Sequence, residues 1–284
     1  MDVIRHSDVR GFAERVMPVL RSDPARHTIA ITVLTGLVES APDDVVMLTV
    51  ERGGQLVGCG FRVPARSFLV SALPGETHQA VVDFLVREGI PLVGVSGPRD
   101  VADAMVPLWT RATGQVPSFT MGLRLHRLED FTQIGAPGRF RHAEDTDVPL
   151  LGQWWDAFEA EDFGTARGDG EVQVRHEISH GVRRFGFWTD GGEEPVAMAG
   201  GSPPLHGMSR IGPVYTPKEF RGRGYGTAVT AAMTRWALDE GARDVLLFTD
   251  IANPVSNAIY HRIGYRPVME AVEHRMPDAN TLDV

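Results

Sequence analysis

Val214-Tyr-Thr-Pro-Lys-Glu-Phe-Arg-Gly-Arg-Gly-Tyr-Gly226 stands between a run with strand character, Arg210–Tyr215, and a segment with helical periodicity, Thr227–Glu240. In that segment Val229, Ala232, Met233, Trp236 and Ala237 recur at the three- and four-residue spacing of one helix face. Between the two, Gly222, Gly224 and Gly226 occupy alternate positions. A backbone of this kind turns tightly and approaches a ligand without Cβ obstruction. The helix that follows leaves its first N–H groups without intrahelical partners, and the positive end of its dipole lies behind them. Strand, glycine turn and helix N-terminus in this order make a site for a phosphate or diphosphate. The spacing Gly-x-Gly-x-Gly is not the dinucleotide fingerprint, and no Gly-Lys-Ser/Thr is present, so neither a Rossmann nor a P-loop reading fits.

Outward from this stretch, the second half of the chain reads as strand-like Arg139–His142, then a helix capped by Asp147 and running to about Glu161. A polar stretch to Arg184 precedes strands at Phe185–Thr189, Pro195–Gly200 and Arg210–Tyr215. After the glycine turn and its helix come strand Val245–Thr249, a helix over Pro254–Arg262 and a final strand near Tyr265–Val272. The first half reads as two helices over 7–20 and 23–40, capped by Ser7 and by Ser22 or Asp23. Strands follow at Val45–Val50, Gln55–Phe61 and Ser67–Ser71. Beyond Pro74-Gly75 come helix Ala80–Arg87, strand Pro91–Val95, helix Asp100–Thr113 and strand Phe119–Leu128.

The two halves share one order. A strand ends near Pro74 or Pro217, and a helix, a glycine, a strand, a helix and a second glycine follow. Gly89 to Gly114 is 25 residues and Gly241 to Gly264 is 23, but Pro74 to Gly89 is 15 against 24 from Pro217 to Gly241. The missing nine residues are about the size of the glycine loop, which predicts an internal duplication whose first copy has lost its anion-binding turn.

Arg221-x-x-Gly224-x-Gly226 resembles the Arg/Gln-x-x-Gly-x-Gly/Ala signature of the GNAT N-acetyltransferase superfamily, and Val214–Pro217 looks like the end of that family's fourth strand. Downstream, Asn253, seven residues before Tyr260, with Gly264-Tyr265 after it, resembles the family's second signature. The resemblance covers about residues 138–275; the first half shares only the element order. It implies an α/β (α+β) fold with two GNAT-like domains, each a twisted, mostly antiparallel mixed sheet flanked by helices. Two adjacent parallel strands would splay apart to admit acetyl-CoA. The expected layout is a degenerate domain over 1–130, a linker over 131–138 around Gly135-Ala-Pro-Gly138, and an acetyl-CoA-binding domain over 139–284.

The resemblance also implies roles. The backbone of Val214, Tyr215 and Thr216 would pair with the pantetheine arm. N–H groups from Arg221, Gly222, Arg223, Gly224, Tyr225, Gly226 and Thr227 would cradle the diphosphate. Asn253 would hold the coenzyme arm or fix the loop after the fifth strand, with Asn257 beside it. Tyr260 would protonate the leaving thiolate. A primary amine attacking a thioester also needs a base, for which Glu161, Glu159 and His206 are candidates; Glu161 is named with Tyr260 as catalytic. A donor strand N–H near Tyr215 would stabilise the developing oxyanion.

The rest of the chain bounds these readings. A net charge of −9 argues against general affinity for nucleic acid and is compatible with a cationic acceptor. Only one of the 28 basic residues is a lysine, Lys218, so single arginines carry little weight outside a motif. No apolar run approaches the roughly 18 residues of a membrane span, the first residues carry no secretory h-region, and the lone Cys59 excludes an intrachain disulfide framework. The expected protein is cytoplasmic, binds a small-molecule or peptide amine, needs no metal, and is compatible with a homodimer. Two other functions are open: an acyl-CoA-binding sensor or scaffold without turnover, and a zinc hydrolase built on His176-Glu-Ile-Ser-His180. Against the latter, Arg175 and Gly181 flank the motif poorly.

Overall fold

A computed structural model describes residues 1–163 and 168–277 and divides the chain into two compact units: Met1–Arg124 with Met269–Val284, and Leu125–Val268. The expected polar stretch before Arg184 therefore includes four residues, 164–167, outside the described ones, and the expected second domain includes 278–284, also outside them.

The first copy runs β1 (Asp2–His6), α1 (Val9–Leu20), α2 (Thr28–Glu39), β2 (Val46–Arg52), β3 (Gln55–Arg62), β4 (Phe68–Ala72), α3 (His78–Arg87), β5 (Gly94–Pro98), α4 (Arg99–Thr113) and β6 (Phe119–Leu128). The second repeats this order in full: β7 (Arg139–His142), α5 (Val148–Phe163), α6 (Gly170–Ser179), β8 (Arg184–Thr189), β9 (Pro195–Gly201), β10 (Met208–Tyr215), α7 (Tyr225–Asp239), β11 (Asp244–Asp250), α8 (Pro254–Ile263) and β12 (Tyr265–Arg275). Among the described residues no helix is long and apolar enough to cross a membrane.

In the first unit the strand order is β1-β2-β3-β4-β5-β12, antiparallel at β1–β2, β2–β3, β3–β4 and β5–β12 and parallel at β4–β5. In the second it is β7-β8-β9-β10-β11, antiparallel at β7–β8, β8–β9 and β9–β10 and parallel at β10–β11, with β6, whose last four residues Leu125–Leu128 belong to this unit, beside β11. Each sheet is thus mixed and mostly antiparallel, as expected. The final strands are exchanged: β12 ends the second copy yet lies beside β5, while β6 ends the first and lies beside β11. A cut at 131–138 therefore misplaces the second half of β12, and Phe131, Ile134 and Ala136 pack against the second unit's core instead of forming a free linker.

Each sheet is faced by its own helices. In the first unit Val81, Val82, Leu85, Met105 and Trp109 of α3 and α4 pack on Leu48, Val70 and Val95. In the second, Ala228, Val229 and Met233 of α7 pack on one sheet face with Val245 and Leu247, while Leu151, Trp154 and Val174 of α5 and α6 pack on the other with Phe187 and Met198. Full burial of each such side chain contributes roughly 1.5–3 kcal/mol. Local caps differ from the expected ones. Asp8, not Ser7, caps α1 by accepting from Arg10 and Gly11 N–H. Asp147 accepts from Glu144 N–H at 2.8 Å within a 3-10 turn that precedes α5, while Arg141 binds it bidentately at 2.6 and 2.8 Å and lowers its pKa.

Candidate active site

β10 and β11 pair in parallel only from Met208↔Asp244 to Ile211↔Leu247. Past Ile211 the register of β10 with β9 shifts before resuming at Val214↔Ala199 and Tyr215↔Met198. The backbone of Val214 and Tyr215 is therefore paired with β9, and Val214–Thr216 have no parallel partner among the described residues. A splayed strand pair of this kind leaves main-chain groups for an extended ligand.

Pro217 opens a 3-10 turn over Lys218–Phe220, in which Phe220 N–H donates to Pro217 O and Arg221 N–H to Lys218 O. The chain then leaves the turn through the exposed residues Arg221–Gly224 and starts α7 afresh at Tyr225. Gly222 has φ +75° and Gly224 φ +83°, a left-handed conformation that costs a residue with a Cβ about 1–2 kcal/mol. The first N–H of α7 with a helical acceptor belongs to Ala228, which donates to Gly224 O. Among the described residues, the N–H groups from Gly222 to Thr227 have no protein acceptor. This arrangement fits a diphosphate: open amides, no Cβ in the way at either left-handed glycine, and a 15-residue helix behind them.

Arg221 braces the loop. Its Nε donates to Thr216 O at 2.8 Å, its Nη2 pairs with Glu161 at 2.5 Å, and its guanidinium lies 5.9 Å from the Tyr215 ring centroid. Glu161, placed by the last turn of α5, also faces Lys218 Nζ at 4.0 Å. The carboxyl of Asp162, the next residue along α5, is pushed up to about 6 by desolvation and by the negative charges of Asp250 and Glu161, with Arg221 opposing. Tyr260 of α8 is 9% exposed; its ring meets Tyr265 edge-on at 6.2 Å, and no described protein group bonds its hydroxyl. Burial, helped by the charge of Asp162, raises its pKa, so the phenol keeps its proton. Tyr265 is bonded to Thr234 at 2.7 Å and is a packing tyrosine by contrast.

The amide of Asn257 accepts from Thr249 Oγ1 at 3.0 Å and donates to Asn253 O at 2.7 Å, so it ties the loop after β11 to α8. Asn253 N–H donates to Asp250 O at 3.1 Å in the same loop. The other two base candidates lie elsewhere. His206 sits in the turn before β10, φ +53°, at the opposite end of that strand from Tyr215. Glu159 groups with Asp156 and Asp169.

The His-Glu-x-x-His segment lacks, among the described residues, the ligand arrangement of a zinc hydrolase site. His176 and His180 stack at 4.1 Å on α6 and its C-cap. Glu177 is turned away, buried against Arg183 at 2.5 Å and Gln173 at 2.9 Å. Among the described residues no third ligand joins the two imidazoles; the one group of three metal-capable side chains is Asp156, Glu159 and Asp169.

A family model described as Acetyltransferase (GNAT) family matches residues 151–265, which contain the open amides, Arg221, Asp162 and Tyr260. Residues 151–265 form a GNAT-family domain. The chain has no match among curated proteins. Its fold is similar over nearly its whole length to solved structures that include a Drosophila protein (13% identity, 98% of this chain and 99% of that one, TM-score 0.68). Others are a tandem GNAT protein from the clavulanic acid biosynthesis pathway (16%, 96% and 98%, 0.60) and a GCN5-related N-acetyltransferase from Sphaerobacter thermophilus (16%, 96% and 95%, 0.64). At these identities the likeness is one of fold, and it extends the GNAT-like architecture to the first copy.

Proposed function

We propose that the GNAT domain transfers an acetyl group from acetyl-CoA to a primary amine by direct attack. The observation that carries this reading is the row of unacceptored N–H groups from Gly222 to Thr227 at the start of α7, among the described residues, following a strand β10 whose parallel pairing ends at Ile211. Charge-assisted hydrogen bonds contribute roughly 1.5–3 kcal/mol each, so three or four supply much of the ~8 kcal/mol of micromolar affinity.

The coenzyme supplies a thioester; this chain's residues do the rest. Val214–Thr216 hold the pantetheine arm along the open side of β10. A main-chain N–H near Tyr215 meets the negative charge that develops on the carbonyl oxygen. Tyr260 keeps its phenolic proton at neutral pH and hands it to the departing sulfur. Asp162, with its carboxyl poised near neutrality, and Glu161 stand on the side where the ammonium must lose a proton.

Incubation with acetyl-CoA and a broad panel of amines, followed by free-thiol release and mass analysis of the amines, tests the reading. An acetylated amine formed in step with thiol supports it. Tight coenzyme binding without turnover on any amine would favour the sensor or scaffold reading instead.

A further inference from the structure

The Arg221 guanidinium has more donors than the fold uses. The first copy shows what the fold needs: His78, which follows its 3-10 turn as Arg221 follows the second, bonds through Nε2 to Leu73 O at 3.0 Å. Arg221 Nε makes the same five-residue link to Thr216 O at 2.8 Å. The imidazole of His78 is buried and makes no other hydrogen bond among the described residues, whereas Arg221 also gives its Nη2 to Glu161. Glu161 thus lies on a cation at the edge of the place assigned to the diphosphate, and its side chain is 32% exposed.

Resting on the coenzyme reading above, we propose that Arg221 exchanges Glu161 for the coenzyme's diphosphate, and that the freed carboxylate, with Asp162 beside it, receives an acceptor carrying a second positive charge. In the free protein Thr216 O holds Arg221 Nε and Glu161 holds Nη2, so a diphosphate that takes Nη2 displaces the carboxylate. Once Arg221 turns to the diphosphate, Glu161 keeps Lys218 Nζ at 4.0 Å, and the neighbouring charges of Asp162 and Asp250 add to its own. That field rejects acceptors bearing a carboxylate and favours diamines and other polycations.

Calorimetry on the full chain tests both parts. Glu161→Gln is expected to tighten coenzyme A binding about two- to five-fold, the worth of an exposed ion pair released from competition. It leaves the affinity for pantetheine, which has no diphosphate, unchanged, and it has no effect in an Arg221→Gln background. 1,4-Diaminobutane binds the coenzyme-loaded protein more tightly than the free protein, and Glu161→Gln removes that difference. Unchanged or weakened coenzyme affinity in Glu161→Gln overturns the exchange. Equal or absent diamine binding in free and loaded protein overturns the acceptor assignment. If the wild-type chain binds no coenzyme A at all, the failure belongs to the proposed function and not to the exchange.

Discussion

The two strand-to-helix junctions of this chain begin alike and end differently. After Pro74 and after Pro217 the backbone makes the same 3-10 turn, with Thr77 N–H on Pro74 O and His78 N–H on Gly75 O in one, Phe220 on Pro217 and Arg221 on Lys218 in the other. In the first junction the turn runs straight into α3, so the amides at the join are already bonded and Thr77 and His78 are buried. In the second, Arg221–Gly224 interrupt the path and α7 starts anew, which creates a second, unbonded set of helical amides. An anion site of this kind needs a helix that restarts, and four residues with two left-handed glycines are enough to restart it.

This also revises the nine-residue difference between the copies. α3 begins four residues after Pro74 and α7 eight after Pro217, while α3 has 10 residues and α7 15. Four of the nine therefore belong to the loop, and the other five lengthen the helix.

Breaking the contrast outright has the largest effect. Deleting residues 221–224 makes the second junction follow the first, and coenzyme A affinity measured by calorimetry falls at least about 100-fold, since two lost charge-assisted bonds suffice. Circular dichroism should still show a folded chain. Next, Tyr260→Phe slows single-turnover acetyl transfer by about 100-fold with coenzyme affinity within a factor of about two, because the ring still packs while the proton donor is gone. An unaltered rate removes Tyr260 as the acid. Gly224→Ala, strained at φ +83°, lowers unfolding free energy by roughly 1–2 kcal/mol in a denaturant titration. The same change at Gly75, where an added Cβ meets nothing within 4 Å and φ is not left-handed, has a much smaller cost.

A further effect concerns pH. The Asp162 carboxyl titrates higher in the folded chain than its ordinary value of 3.8, near 6. The folded state thus prefers it protonated, so its contribution to stability is present below the unfolded pKa and is lost as pH rises through about 6. Asp162→Asn is expected to melt higher than wild type at pH 7, with the difference closing as pH falls below 4. A difference that stays constant across that range would contradict the shift.

Much of the second junction is legible in the sequence. The alternating glycines and the apolar face of α7 mark a turn and a helix start whatever the tertiary context. α6 is not legible because its face is mixed: Glu177 is buried on Arg183 and Val172 is 71% exposed, so hydrophobic periodicity fails. β1 carries charges on a five-residue strand and escapes notice for a similar reason. The exchange of β6 and β12 cannot be read locally, since a strand's residues specify which face is buried but not which backbone it joins. Asp162 is hidden because its environment comes from β11 and the loop after β10, distant in sequence.

Backbone hydrogen exchange followed by mass spectrometry, with and without coenzyme A, compares the two junctions in one experiment. The account predicts marked slowing at Gly222–Thr227 on adding the coenzyme and none at Gly75–His78. Equal protection at both junctions, or none at Gly222–Thr227 while the coenzyme is bound, would contradict it.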